Sequence, residues 1–355
     1  MSDQTRFVKG KIGDAEREWL TSGGVERHFR FGPCNISVRF IAGSVQDTVV
    51  PVIAYSEVTP APDIVHATIY AVDSTATGFS APPTDWPFEV ETTQDHQRIC
   101  WRPDEGIAFT SDEARGIWHL YDDARKQGLY WIRDVSQLPF WEPGSPLRHF
   151  IHWATLPADC AMIHAAAIGY GKRGFLMTGV GGSGKSTTTA AAIKQGWFTT
   201  GDDFILVNPH TEPTAFPIFD VMKLTDHALK WFADFSTQAI NQPSAPDEKT
   251  LIPLSTVAGE RFVNRLPVHA VLSLELTGAE TSEFEAMSKR QAVAALAPST
   301  MNILRTGMPE TLTACSAIAR NLPTIKFKVG RDPFEAVDAL EKLAEGDRQA
   351  WQQFQ

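Results

Sequence analysis

Along the first 150 residues, apolar and polar positions alternate in short runs. In Asn35–Ile41, Ile36, Val38 and Phe40 alternate with Ser37 and Arg39, a period of two that predicts a strand with one buried face. Val65–Val72, Arg98–Trp101 and Leu129–Val135 read the same way. Turn-rich breaks at Thr59-Pro60-Ala61-Pro62 and Ala81-Pro82-Pro83 separate the runs. The pattern predicts an antiparallel sheet with a few helices, and no internal repeat or low-complexity tract stands out. Glu142-Pro143-Gly144-Ser145-Pro146 marks a boundary. It divides the chain into a β-rich α+β domain over 1–145 and a second domain over 146–355.

Beyond that boundary, helix and strand signals alternate. An amphipathic helix is expected over Leu147–Leu156. Met162–Gly169 and Gly174–Met177 read as adjacent strands joined by a turn at Gly171-Lys172. Ser186–Lys194, rich in alanine, reads as a helix. Val271–Leu276 and Thr324–Val329 read as strands. Ser288 with Gln291 three residues on forms a capping box. The last helix opens at Asp332-Pro333-Phe334-Glu335, with Asp332 as cap, Pro333 at the first helical position and Glu335 reaching back to the cap; Gly346 ends it. Asn241–Thr250 reads as a mobile loop. The second domain is therefore mixed α/β.

Composition narrows the classes. The chain has 355 residues, 43 % of them apolar, enough for a sizeable core. A net charge of −10 argues against a general nucleic-acid binder. Cys34, Cys100, Cys160 and Cys315 are far apart with no CxxC pair, which disfavours a thiolate metal site and fits a reducing compartment. The opening Met-Ser-Asp-Gln-Thr has no apolar core of a signal peptide, and no stretch reaches the length of a membrane span. The cytoplasm is the expected location.

The chemistry concentrates after residue 160. Gly179-Val180-Gly181-Gly182-Ser183-Gly184-Lys185-Ser186 fits G-x-x-x-x-G-K-[ST] in full, with Thr187 next and with a strand before and a helix after. Glycines let backbone N–H groups approach phosphate oxygens, and the helix N-terminus adds partial positive charge. Lys185 is placed for the β/γ-phosphates and the Ser186 hydroxyl for Mg²⁺. The cofactors expected are ATP and Mg²⁺. Gly201-Asp202-Asp203 follows, two acids suited to holding Mg²⁺ and to accepting a proton. His164 lies in the apolar run Met162-Ile163-His164-Ala165-Ala166.

These three elements together resemble the HPr kinase/phosphorylase family, whose pattern is a strand histidine, a P-loop and a paired aspartate. His164 precedes Lys185 by 21 residues and Asp202 follows it by 17, as in that family. The ATP-dependent phosphoenolpyruvate carboxykinases share the nucleotide core and a similar Gly-Asp-Asp. The resemblance implies that Asp202 is the general base toward a serine, that Asp203 and Ser186 hold the metal, and that His164 sits beside Asp202. HPr kinases proper carry Glu after the P-loop serine, where this chain has Thr187. Their later Glu-x-Arg signature is not visible, and Lys223 alone supplies a cation in that region. The chain therefore looks more like the HPr-kinase-like proteins found with peptide-tailoring or polysaccharide genes, some of which phosphorylate a serine on a ribosomally made precursor peptide.

The leading expectation is a Mg-ATP-dependent kinase for a serine hydroxyl on a peptide or small protein, with the N-terminal domain binding the acceptor. A kinase of a small hydroxylated metabolite and a nucleotide-gated binding protein without turnover are the alternatives. No nucleic-acid partner is expected, and a homo-oligomer is compatible with the sequence.

Overall fold

In the N-terminal half, the short apolar runs assemble into one eight-stranded sheet. The strands are β1 (Val25–Phe31), β2 (Cys34–Phe40), β3 (Ala67–Asp73), β4 (Glu91–Thr92), β5 (Arg98–Arg102), β6 (Ile107–Asp112), β7 (Ile117–Asp122) and β8 (Gln127–Ile132). Their order is β1-β2-β3-β8-β7-β6-β5-β4. The sheet is mixed rather than antiparallel, because β3 runs parallel to both β2 and β8. This computed structural model describes residues 1–59, 65–84, 91–92, 97–210, 212–243, 245, 248–346, 351 and 354. The turn expected at residues 60–62, and residues 244, 246 and 247 of the loop expected at 241–250, lie outside them.

Both faces of this sheet are covered. Val8, Ile12 and Ala15 of the helix Asp3–Ser22 pack on Tyr70, Phe109, Trp118, Leu120 and Trp131. On the other face, the helix Arg148–Thr155 brings Phe150 and Trp153 against His119, Tyr121 and Tyr130. Burial on both sides removes the alternation from β6, β7 and β8, which are buried nearly throughout. These three strands start at residues 107, 117 and 127, a ten-residue repeat that hydrophobic patterning does not reveal. The turns before them place Gly106, Gly116 and Lys126 at φ of 66°, 67° and 53°. Asp112 Oδ1 accepts from Arg115 N and Asp122 Oδ1 from Ala124 N, both at 3.1 Å, locking two of the turns.

The chain divides into two units, Met1–Ala158 with Leu304–Gly307, and Asp159–Ile303 with Met308–Gln355. The Pro/Gly segment at 142–146 lies inside the first unit, where Glu142 and Ser145 are buried. In the second unit the strands are β9 (Ala161–Ile163), β10 (Ala166–Tyr170), β11 (Arg173–Thr178), β12 (Phe198–Gly201), β13 (Ile205–Asn208), β14 (Thr214–Pro217), β15 (Met222–Leu224), β16 (Thr250–Ile252), β17 (Leu266–Pro267), β18 (Ala270–Leu276), β19 (Glu283–Ala286) and β20 (Thr324–Val329). A six-stranded sheet runs β12-β10-β11-β18-β20-β19, and a four-stranded sheet runs β17-β14-β13-β9. β11, β18 and β20 are parallel neighbours, so their carboxyl ends share one edge.

The expected capping box is present: Ser288 N donates to Gln291 Oε1 at 2.9 Å, and Gln291 N donates to Ser288 Oγ at 3.3 Å. Asp332 caps the helix Pro333–Glu345 by accepting from Phe334 N at 2.9 Å. Glu335 does not reach back to that cap. Its carboxylate accepts from Ser282 N and Oγ instead, tying the helix to the segment before β19. All four cysteines are buried and unbridged. Among the described residues, no helix is long and apolar enough to cross a membrane.

Candidate active site

The sequence Met162–Gly169 reads as one strand but folds as two. β9 ends at Ile163 in the four-stranded sheet, and β10 starts at Ala166 in the six-stranded one. Thirty-odd residues later the chain makes the reverse crossing, from β12, ending at Gly201, to β13, starting at Ile205. Ile163 pairs with Ile205, which fastens the two crossings side by side. His164 occupies one crossing, and Asp202 and Asp203 occupy the other.

The glycine-rich loop that carries the expected phosphate motif follows β11. Gly179, Gly182 and Gly184 take φ of 148°, 82° and 100°. At Gly179 the reason is also steric, since a Cβ there would lie 2.5 Å from Ser183 Oγ and 2.9 Å from Leu274 O. Ser183 N donates to Val180 O at 3.1 Å and closes the loop, while Gly181 and Gly182 stay exposed at its tip. The helix Lys185–Lys194 begins directly after Gly184, and Ser186 and Thr187 lie half-buried in its first turn. Lys185 Nζ donates to Gly179 O at 2.8 Å and is nearly buried. Burial lowers the Lys185 ammonium below the ordinary lysine value, and the charges of Asp202 and Asp203 pull it back up.

The two acids have different surroundings. Asp202 is 1 % exposed. Burial raises its carboxyl, the Asp203 charge adds to that, and the Ser186 hydroxyl and Lys185 act in the opposite sense. Its Oδ2 accepts weakly from Lys223 N at 3.4 Å, while its Oδ1 is buried with no partner. The Asp203 side chain is 21 % exposed. It accepts from Lys223 Nζ at 2.7 Å on Oδ2, and Oδ1 lies 3.1 Å from His164 Nε2. Burial raises the Asp203 carboxyl too, but Lys223 and then His164 more than offset it and hold the group well below the usual carboxylate range. Asp203 also has a φ of 68°, and Phe204 N donates to Asp202 O across it at 2.8 Å. That is a γ-turn of the rare positive-φ kind, a strained conformation typical of functional positions.

His164 therefore stands against Asp203, not beside Asp202 as the resemblance implies. The strand at His164 is broken, so the side chain turns toward the crossing rather than along a regular strand face. Its backbone N donates to Thr300 Oγ1 at 3.0 Å. Lys223, on β15, joins the acids through both its ammonium and its backbone N–H. Sequence reasoning missed Lys249, an exposed cation just before β16 whose charge is felt at Lys185. No motif marks it; the pairing of β15 with β16 carries it there.

Among the described residues no group of three or more His, Cys, Asp or Glu is arranged to hold a metal. The donors suited to Mg²⁺ are the Ser186 hydroxyl and the Asp202 carboxylate, whose ionised form that hydroxyl favours. Both are hard oxygens, and the unpartnered Asp202 Oδ1 leaves a valence for a cation. Mg²⁺ commonly uses one or two protein oxygens and takes the rest from phosphates and water.

No protein-family model and no curated protein matches the sequence. Among solved structures, the chain is similar to the Hpr(Ser) kinase/phosphatase from Coxiella burnetii, at 14 % identity over 52 % of this chain and 87 % of that one. The TM-score is 0.29, a remote structural relation and no more.

Proposed function

We propose that the protein is a Mg-ATP-dependent kinase that phosphorylates a serine hydroxyl of a peptide or small protein. The observation that carries this reading is the pair of acids beside a complete phosphate loop, one buried and one partly open and held by His164 and Lys223. This arrangement supports exchanging the two roles implied by the resemblance. Asp202 and Ser186 would hold Mg²⁺, which when bound neutralises charge on the β- and γ-phosphates. Asp203 faces the acceptor.

In the proposed reaction Lys185 leaves its loop carbonyls and donates to the transferred phosphoryl group. The serine oxygen forms a bond to the γ-phosphorus, the bridging P–O bond breaks, and ADP leaves with the electron pair. Asp203 accepts the hydrogen bond of the serine hydroxyl and then its proton. A carboxylate held this firmly ionised is a weak base, which suits a loose transition state in which the proton moves late. His164 and Lys223 fix the carboxylate in place. Asp202, with the higher pKa, is the stronger base but is closed off from an acceptor, and reach decides before pKa. Acceptor selection is assigned to the first unit, since every residue of the phosphate site belongs to the second.

The test is ATP turnover with serine-bearing peptide acceptors, for the parent and Lys185→Ala. The variant should lose most of the phosphoryl transfer. Parent-like turnover in it would refute the assignment.

A further inference from the structure

His164 sits where two ladders stop. β9 ends just before it and β10 starts at Ala166, so its backbone N–H belongs to neither strand. An N–H taken out of water must find an acceptor elsewhere. The helix Lys289–Leu304 supplies one. Its Leu296 and Ala297 pack in the same core cluster as Ile163, Ala165 and Ile205. One turn on from Leu296 the helix presents Thr300, which is fully buried. Thr300 Oγ1 accepts from His164 N at 3.0 Å and donates to Leu296 O at 3.0 Å. The donation to Leu296 fixes the hydroxyl, so that a lone pair is left facing the His164 amide.

The imidazole has few constraints of its own. Nε2 lies 3.1 Å from Asp203 Oδ1, and the ring packs on Phe204 with centroids 5.5 Å apart. Nδ1 is buried with no partner. With one hydrogen bond aiming the ring, its direction is inherited from where the backbone of residue 164 is held. The same helix takes a second bond from the site. Thr178 Oγ1, one residue before Gly179, donates to Ala295 O at 2.9 Å. Ala295 and Thr300 are five residues apart, about 7.5 Å along a helix axis. One element therefore ties the root of the phosphate loop to the histidine that steadies Asp203.

We propose that Thr300 is a positioning residue for phosphoryl transfer: by holding the His164 amide it sets the imidazole against Asp203. The proposal rests on the kinase reading above, in which Asp203 faces the acceptor. Asp203 is ionised, so the hydrogen shared with His164 belongs to Nε2, and the imidazole donates. Position 300 has to accept from one N–H and donate to one carbonyl through the same atom, which a hydroxyl does. Serine keeps both bonds. Valine matches threonine in shape and makes neither. Asp203 retains Lys223 in either case, so losing the Thr300 hydroxyl loosens the carboxylate without releasing it.

The experiment compares the full chain as parent, Thr300→Val, Thr300→Ser, His164→Ala and the double variant Thr300→Val with His164→Ala. ATP turnover with a serine-bearing peptide is measured per folded molecule. Thr300→Val should lower kcat about 10-fold, the size of one hydrogen bond, and leave the KM for ATP within about 2-fold. Thr300→Ser should restore most of the rate. In the His164→Ala background Thr300→Val should change kcat by less than about 2-fold, because its effect passes through the imidazole. Thr300→Ala removes the same hydroxyl and replaces the valine variant if that one does not fold. A readout independent of turnover is the Nε2 proton of His164, seen by proton NMR of isotope-labelled histidine and identified by its loss in His164→Ala. It should be present in the parent and in Thr300→Ser and lost in Thr300→Val. Parent-like turnover in Thr300→Val, an equal loss with and without His164, or an Nε2 proton that Thr300→Val leaves unchanged would overturn the proposal. If the folded parent turns over no ATP with any peptide, the kinase reading falls, and the Nε2 proton alone decides whether Thr300 positions His164.

Discussion

Each unit of this protein buries a cluster of charged and titratable groups, and the two clusters are finished differently. In the first unit Glu142 is 1 % exposed and both its oxygens are occupied. Tyr130 Oη donates to Oε1 at 2.8 Å and Arg148 Nη1 to Oε2 at 2.6 Å. His119 stands 3.7 Å from Oε1, with its other nitrogen 3.2 Å from Thr110 Oγ1. Around Glu142 the unpartnered atoms are imidazole nitrogens, on His119 and His149, packed on aromatic rings, and elsewhere in the unit Asp122 Oδ2 is buried without a partner while its Oδ1 holds a turn. In the second unit the unpartnered atoms include the Asp202 carboxylate and the Ser183 hydroxyl, both beside the phosphate loop. A saturated carboxylate holds a fold together. A carboxylate with a valence left over, next to a strained turn and a glycine loop, waits for something to complete it.

That contrast breaks if the variants behave alike. The largest effect is expected at Asp203. Asp203→Asn should lower turnover per folded molecule by about 10²–10⁴-fold while ATP binding stays near the parent's. Asp202→Asn should instead raise the Mg²⁺ concentration needed for half-maximal rate. Titrations of Mg²⁺ and ATP with a fixed acceptor separate the two, and exchanged phenotypes would restore the order implied by the family resemblance. The next effect belongs to the first unit. Arg148→Leu leaves Glu142 buried without its cation and should cost about 3–5 kcal/mol in urea unfolding, with turnover per folded molecule unchanged.

Acid should find the first unit before the second. Burial pulls the His152 imidazole down to about 4, and His119 and His149 are lowered as well. Between pH 6.5 and about 4 the unfolded chain binds protons that the folded chain refuses, so stability falls as pH falls through that window. The loss should reach a few kcal/mol, read as a falling urea midpoint by tryptophan fluorescence, and His152→Asn should flatten the slope. The smallest effect sharpens the comparison from the other side. Asp332→Ala removes a helix cap that makes no bond to the acids and should cost about 1 kcal/mol in thermal unfolding without changing turnover.

Much of the second unit was legible in the sequence because its signals are local. A phosphate loop needs glycines, a lysine and a hydroxyl in one short stretch, and the capping residues at Ser288 and Asp332 need only their own neighbours. The strands Val271–Leu276 and Thr324–Val329 match β18 and β20 within a residue for the same reason. What stayed hidden was decided at a distance. The partner of His164 follows from a strand that breaks and changes sheets, and nothing in Met162–Gly169 signals the break. The helix Asp3–Ser22 carries Gly10 and Gly13 and buries a narrow stripe, so its pattern is faint. The ten-residue repeat of β6, β7 and β8 was hidden because helices cover both faces, which leaves periodicity in the turns alone.

The paired crossings at His164 and at Asp202–Asp203 set what kinds of change the protein can absorb over evolutionary time. Side chains along β9 and β13 can be exchanged for others of similar size, since the pairing of Ile163 with Ile205 is made by backbone. Chain length there is a different matter. One residue added or lost between Ile163 and Ala166, or between Gly201 and Ile205, turns every later side chain of that strand to the opposite face. It also slides the histidine past its acid. Related chains that keep this chemistry should therefore vary in the letters of β9 and β13, and hardly at all in the spacing of the two crossings between them.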